Sequence, residues 1–555
     1  MVSKIELGPS NCLTSCIQNI SGERMKQLNQ YLPYSETGYF STLIKDFLVA
    51  DPKMQPFLQY HPVEPGFELA MKAKESQPLH RDVLVKVLHQ QYAGLEIDSA
   101  VRLNIDLLLS PNTFTICTAH QPNIFTGYLY FAYKILQTVK LAAELKEKFP
   151  GKNFVPVYYM GSEDADLDEL GKIFLNNKTL AWETTQTGAV GRMKTEGFEE
   201  MLDTIQHELG YTPHSDELMA IIRTAYLQHD DIQSATLYLV NALFGRYGLV
   251  VLIPDTPDLK RLYIPVMEDE LLHQTSYKIV NQTIAALGEH YKVQASPREI
   301  NLFYLKGDLR ERIVYEDGAW VVLNSGMKFN RESLLQELNL HPERFSPNVI
   351  LRGMFQETIL PNIAFLGGGG EVAYWMELKA LFQHYRVPYP VVLLRNSFLF
   401  IDKFHHGRIQ KLGLSLADLF TEVETLINNY VGRHTNANLV LKDEYLEIDA
   451  LFEKLQQKAA EIDPTLVITT QAEHHRVSKV IGKLEHKFLK AEKKKFAWQA
   501  EQIRQIKGRF FPGNSLQERK ENFMPFYAQY GQAFFDMILE AMIPVTDQFC
   551  VIAEA

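Results

Sequence analysis

The sequence predicts an α/β fold: a parallel sheet crossed by helices and interrupted by a sizeable insertion, followed by a separate helical region. Three observations carry this. Short runs rich in β-branched and aromatic residues, "FTICTA", "NFVPVYYM", "GLVVLIP" and "YPVVLLR", recur from Phe114 onward. Long helical patterns lie between several of them, and that alternation is the mark of parallel strands joined by crossovers. The runs are continuously apolar, as expected of strands covered on both faces. After "LLRNSFLFID" the chain becomes almost wholly helical.

In chain order, residues 1–110 read as a helical segment packing on the core; "VLVKVLHQQYAGL" shows apolar steps of three and four. The core itself is assigned to 111–402. Its interval from about 176 to 348 is too long for one crossover and reads as an insertion. That insertion holds the helical pattern "DELMAIIRTAYLQ" and a hairpin, "RERIVYEDGAWVVLN", with Asp317-Gly318 at the turn. The helical domain covers 403–555. There Val477, Ile481, Leu484, Phe488 and Ala491 fall at alternating steps of four and three, a coiled-coil seam flanked by Lys and Glu. A helix from Leu446 to Ile462 is expected to run antiparallel to it across Asp463-Pro464. Two heptads leave both a self-contained hairpin and an intermolecular coil open.

Composition narrows the class. The 555 residues are 46% hydrophobic and 22% charged, as in a globular protein. No apolar run reaches the roughly 18 residues of a membrane span, and "MVSKIELGPSNC" lacks the apolar core of a signal peptide. A cytoplasmic address with no membrane partner is expected. A net charge of −11 speaks against a general nucleic-acid binder. Cys12 and Cys16 have no nearby His or Cys pair to complete a zinc site, so incidental thiols and no structural metal are expected. Disulfides are not expected.

Three stretches point to chemistry. "TAHQPNIFTGYLYFAYK" places His120, Gln121, Pro122 and Asn123 where a strand gives way to a helix, the position at which open α/β sheets bind ligands. Free amides at such a helix start favour an anion, His120 can donate to it or exchange a proton, and Gly127 permits close backbone approach. "VPVYYMGSEDADLDEL" ends a strand at Gly161 and follows it with Glu163, Asp164 and Asp166. Such carboxylates bind an amine, hold a metal or act as a base, or else simply favour a helix start; Asp168 and Glu169 read as surface charge. "LPNIAFLGGGGEVAYWMELKALF" runs an apolar strand into Gly367–Gly370 and a helix near Glu371, an anion-cradling turn without the Lys-Ser/Thr of a P-loop. Tyr374 and Trp375 either wall a pocket there or belong to the core. All three stretches are expected to converge on one cleft.

Together these stretches resemble the bacillithiol biosynthesis cysteine-adding enzymes. The family's His-Gln turn, Gly, aromatic and Lys are matched by His120, Gln121, Gly127, Tyr130 and Lys134. Its Glu-Asp strand end is matched by "PVYYMGSEDADL", and "SPNVILRGMFQETILPNIAFLGGGGEVAYWMELKALF" is the most specific stretch. "PYPVVLLRNSF" and "FFPGNSLQERKENF" extend the match, which covers most of the chain. Two positions depart: Ala165 stands where the family often has His, and Gly353 where it commonly has Pro.

The resemblance implies a Rossmann-like core, a C-terminal coiled-coil domain and a homodimer. It implies an amide-forming ligase joining L-cysteine to glucosaminyl-malate, with ATP or ADP involved and Mg as its usual companion. Catalysis is then expected from His120, Gln121, Glu163, Asp164 and Asp166. Substrate binding falls to Asn123, Gly127, Tyr130, Lys134, Gly369, Glu371, Tyr374 and Trp375. A nucleotide diphosphate site by the helical domain is expected at Arg395, Asn396, Ser397, Arg519 and Asn522. A nucleotidyltransferase or aminoacyl-tRNA-synthetase-like enzyme of the same core is the alternative, although a complete His-x-Gly-His turn and a Lys-rich loop are not evident. A non-catalytic scaffold would leave the polar residues at three strand ends unexplained.

Overall fold

The computed structural model describes residues 27–435, 439 and 441–555. Cys12 and Cys16 lie outside the described residues, whereas Cys117 and Cys550 are buried free thiols.

Five strands form the central sheet: β1 (Thr113–His120), β2 (Asn153–Met160), β3 (Val250–Leu252), β4 (Asn362–Gly367) and β5 (Val391–Leu394). They lie in the order β5-β4-β1-β2-β3, and every neighbouring pair is parallel. This is the Rossmann-like α/β arrangement. The chain starts in the middle, builds outward through β2 and β3, then crosses to the other side for β4 and β5. The order therefore reverses between β1 and β4, and the crevice beyond their carboxyl ends is where such sheets take ligands. The apolar runs explain the arrangement, because β1 is buried from Thr113 to Thr118 and β4 along its whole length. Helix α1 (Tyr130–Lys148) packs on β1 and β2. Its Leu141, Ala142 and Leu145 share a core with Phe114, Ile116, Ile363 and Leu366, and with Phe67, Ala70 and Met71 from helix Glu64–Glu75.

The insertion is not one block. Strand β3 lies inside the 176–348 interval, pairing Val250 with Val157 of β2, so insertions precede and follow it. Three residues, "VVL", suffice for this strand because all three side chains are buried. The second insertion contains a five-stranded sheet joined through antiparallel pairings, with Leu302–Lys306, Leu309–Glu316 and Ala319–Val322 at its centre. Its hairpin closes with Glu316 opposite Ala319, and Asp317 and Gly318 have φ of +51° and +80°, as a two-residue turn requires. The second insertion ends in α2 (Val349–Ile359), and α3 (Gly369–Met376) follows β4.

The chain divides into two compact units. Of the described residues, one holds those from Gln27 to Ser35, Tyr39–Leu399 and Gln517–Ile552; the other holds Glu36–Gly38, the described part of Phe400–Leu516, and Ala553–Ala555. The stretch 517–552, assigned to the helical domain from sequence, thus belongs with the sheet. Its physical reason is apolar: helix Ala533–Ala541 buries Phe534, Phe535 and Ile538 and packs against α1.

In the second unit, α4 (Lys442–Ile462) and α5 (Leu466–Lys493) form an antiparallel hairpin. The Tyr445 hydroxyl donates to Ser478 O (3.4 Å), His474 Nε2 lies 2.7 Å from Asp449 Oδ1, and Phe452 stacks on His474. Val477 and Ile481 are half-buried, but Leu484 and Phe488 remain 38% and 45% exposed, and Leu446, Leu451 and Leu455 across the hairpin are exposed too. One chain leaves much of the predicted seam uncovered.

Candidate active site

Strand β1 delivers His120 to the carboxyl edge, where the Tyr158 hydroxyl donates to its carbonyl at 3.1 Å. The chain then makes a tight turn in which Phe125, Thr126 and Gly127 all have positive φ. A Cβ on Gly127 would come within 2.8 Å of the Asn123 Cβ, so the turn needs glycine there. The Asn522 amide donates to Phe125 O and Gly127 O at 3.0 and 2.5 Å. Asn123, Gly127 and Asn522 build the turn that aims His120 and Tyr130; none of the three lines the cavity beside it.

That cavity encloses about 610 Å³, the size of a small-molecule site. The end of β1 contributes Ala119, His120 and Gln121; the end of β2, Gly161 and Asp164; the turn after β4, Gly368–Glu371 and then Tyr374. The three stretches singled out in the sequence do converge on one cleft, at the point where the strand order reverses. Tyr128, Tyr130, Arg395 and Arg519 complete one side, and Phe303, Arg310, Asn348 and Arg352 from the second insertion complete the other.

The electrostatics are mainly cationic. Burial, followed by the Lys134 and Arg395 charges, holds the His120 imidazole well below its ordinary pKa of 6.5, so the ring is neutral. It sits edge-on to Tyr130 at 5.5 Å, and its Nε2 is sealed from solvent without a hydrogen-bond partner. Arg395 lies over the Tyr130 ring at 4.8 Å and is clamped by the buried Glu518 carboxylate at 2.7 Å. Arg310 stacks on Phe303 at 3.9 Å, and its Nε is buried without a partner. Asp164 accepts from Gln121 at 3.3 Å and faces Arg352 at 3.5 Å. Burial pushes the Asp164 carboxyl up, but Arg352 and Arg310 more than offset this and leave it below the usual range.

Several expected residues have other roles. Lys134 is buried, donates to Ala119 O at 2.7 Å and pairs with Glu371 at 2.5 Å. Glu371 also accepts from the Gly368 amide at 2.8 Å, so the glycine turn already holds a carboxylate of its own. Glu163 points away from the cleft into an ion pair with the buried Lys260, 2.6 Å away. Asp166 caps the short helix Leu167–Leu170, accepting from Glu169 N at 3.1 Å. Trp375 lies in the core against Phe365, where a Cβ on Gly353 would approach its ring to 3.0 Å. Asn396 N–H donates to Gln137, and Ser397 Oγ donates to Glu518. These two residues hold the scaffold behind Arg395.

The expected nucleotide residues also sit elsewhere than anticipated. Arg395 and Arg519 belong to the sheet-bearing unit and line the same cavity as His120. Sequence reasoning passed over Arg310, Phe303, Asn348, Arg352 and Tyr128 as site residues, and Glu169, read as surface charge, also lines the cavity. Arg352 and Asn348 stood inside the most specific stretch, "SPNVILRGMF", whereas Arg310 has no local signal in its hairpin. Among the described residues no group of three or more His, Cys, Asp or Glu is arranged to hold a metal, and no helix is long and apolar enough to cross a membrane.

Comparison with known proteins adds the relatives. Residues 28–396 match the family described as bacillithiol biosynthesis BshC, N-terminal Rossmann-like domain, and residues 398–554 match its C-terminal coiled-coil domain. A protein of Flavobacterium johnsoniae named "Putative cysteine ligase BshC" is 40% identical over 523 residues, covering 94% of this chain and 99% of its own. Its namesake in Flavobacterium psychrophilum is 38% identical over 527 residues, with the same coverage. A third, from Cytophaga hutchinsonii, is 36% identical over 508 residues, covering 91% of this chain and 95% of its own.

Proposed function

The chain belongs to the BshC family of bacillithiol biosynthesis, and from that membership we propose that it is a cysteine ligase acting on glucosaminyl-malate with consumption of ATP. The observation that carries the reading is the meeting of His120, Asp164, Glu371 and four arginines in one cavity beyond β1 and β4. Both substrates bear carboxylates and one of them is an amino acid. The arginines suit the anions, and Asp164 with Glu169 at the rim suits the cysteine ammonium.

Joining a free carboxylate to an amine in water needs a better leaving group than hydroxide. In the proposed reaction a cysteine carboxylate oxygen takes a phosphoryl or adenylyl group from ATP, releasing ADP or pyrophosphate. The glucosamine nitrogen then attacks the carboxyl carbon, phosphate or AMP departs, and the nitrogen loses a proton. Arg395 over Tyr130 and Arg519, which has no ion pair among the described residues, fit the nucleotide phosphates. Mg would accompany them as the phosphates' counter-ion, and the cytoplasm supplies all three substrates.

Purified protein incubated with L-cysteine and glucosaminyl-malate should release bacillithiol only when ATP-Mg is present, followed by mass spectrometry. A full yield without ATP removes the activation step, and no product with ATP removes the ligase.

The reading extends to a homodimer. Leu484 and Phe488 with Leu446, Leu451 and Leu455 give the α4–α5 hairpin more uncovered apolar surface than a solvated helix pair needs. Light scattering should find a dimer for the wild type and a monomer for Leu484→Glu/Phe488→Glu. A monomeric wild type excludes it.

A further inference from the structure

Of the four arginines that line the cavity, two stand over strand ends on opposite sides of the strand that carries His120. A Cβ built on Gly161, just past β2, would lie 3.4 Å from Nη1 of Arg352; one on Gly368, just past β4, would lie 3.6 Å from Nε of Arg395. In the sheet β1 lies between β4 and β2, and β1 ends at His120. Neighbouring strands are about 4.8 Å apart, so the two arginines stand over strand ends roughly 10 Å apart with the imidazole's strand between them.

Each is accompanied by a second guanidinium. Burial and then the Arg352 charge lower the proton affinity of Arg310; desolvation and then the Arg395 charge do the same for Arg519. Guanidinium groups that feel each other's charge repel, and an anion bound between them relieves the repulsion. Neither Arg310 nor Arg519 has a hydrogen-bonding carboxylate of its own among the described residues. The protein's own acids do not fill the gaps either. Glu518 is paired with Arg395 and Glu371 with Lys134; Asp164 contacts Arg352 at 3.5 Å, and its charge reaches Arg310 without a hydrogen bond, as that of Glu518 reaches Arg519. Glu169 is the remaining acid of the lining, and its charged neighbours are Asp166 and Asp164, not an arginine.

We infer that the cavity binds two oxyanionic groups at once, one between Arg310 and Arg352 and the other between Arg395 and Arg519, with the ligands' uncharged middle over His120. The groups are carboxylates or phosphates, and the inference rests on the reading that this cavity is where the ligase chemistry occurs. It also explains why the second insertion is present. The hairpin strand Leu309–Glu316 brings Arg310 to a site that the core sheet alone would leave with one anion position.

Titration calorimetry of the full chain with inorganic phosphate at low ionic strength tests this. Two binding events per chain are expected. Arg310→Met should weaken one of them by about tenfold or more and spare the other, and Arg519→Met should do the reverse, the loss of a charge-assisted hydrogen bond at a single locus. Neither side chain has an ion pair to lose among the described residues, so both variants should melt close to the wild type. A parallel titration with acetate separates a carboxylate-preferring pair from a phosphate-preferring one. A single event abolished by either variant, no event in the wild type, or two events unchanged in both variants would overturn the inference. A wild type that binds two phosphates yet makes no amide would sink the ligase reading alone.

Discussion

His120→Ala should lower kcat by about 10²–10⁴-fold, the range for losing a positioned acid–base or hydrogen-bonding group, while costing about 1 kcal/mol or less of stability. The asymmetry follows from the site. The ring's Nε2 has no partner to leave stranded, so the fold loses little. Burial, Lys134 and Arg395 keep the imidazole neutral, so it is available as a base and as a neutral hydrogen-bonding group. The pH profile carries the sign. Because the folded pKa is depressed, kcat/KM of the free enzyme should show no limb near 6.5 that depends on His120. An anion bound beside Arg395 offsets part of the positive field, so any His120 limb in kcat should lie higher than in kcat/KM. His120→Gln, neutral and able to hydrogen-bond, should keep more activity than His120→Ala. Full turnover in both variants, or a limb near 6.5 in kcat/KM that disappears in His120→Ala, would count against this account.

Much of this site was legible because strand ends are. Continuous apolar runs marked β1, β2 and β4, and the polar residues directly after them, His120, Asp164 and Glu371, had to lie at one edge once the strands were parallel. What remained hidden depended on partners remote in the chain. Glu163 and Asp164 are neighbours in sequence with the same chemistry. Only the position of Lys260, 97 residues away, sends one into a buried pair and leaves the other facing Arg352. Likewise Asn522 reads as one more polar residue of "ERKENF", and its role as the clamp on the Phe125–Gly127 turn lies in a contact across 395 residues. Strand β3 was legible as "GLVVLIP", but the long interval in which it lies was assigned as one insertion, and its pairing with β2 is a contact between segments remote in the chain. Arg310 joins the site through the placement of an inserted hairpin, which local periodicity cannot encode.

Lys260→Met should destabilise the protein by about 3–5 kcal/mol, the cost of leaving a buried carboxylate without its counter-charge. Lys260 is 0% exposed; it donates to Glu163 at 2.6 Å and to Phe345 O at 2.8 Å. Glu163 is itself buried, at 7% exposure, and burial raises its carboxyl above the ordinary 4.5 while Lys260 pulls it back. Removing the ammonium leaves burial and the Asp255 charge opposed only by Arg192, which raises it further. A carboxyl whose folded pKa lies above its unfolded one holds more protons folded than unfolded, so stability falls as pH rises. The deficit of Lys260→Met should therefore shrink as pH is lowered towards 4.5 and be largest above the raised folded pKa. Lys260→Met/Glu163→Leu should recover much of the loss, since replacing both members of a buried pair by apolar groups is often neutral. Glu163→Gln, by the same reasoning, should act mainly on the melting midpoint and only indirectly on turnover, through the turn that presents Asp164 to Arg352. Denaturant melts of the wild type and these three variants at two pH values, with kcat measured on those still folded, decide the matter. A Lys260→Met protein as stable as the wild type at neutral pH, or a double variant no better than the single, would show that the pair carries no such burden.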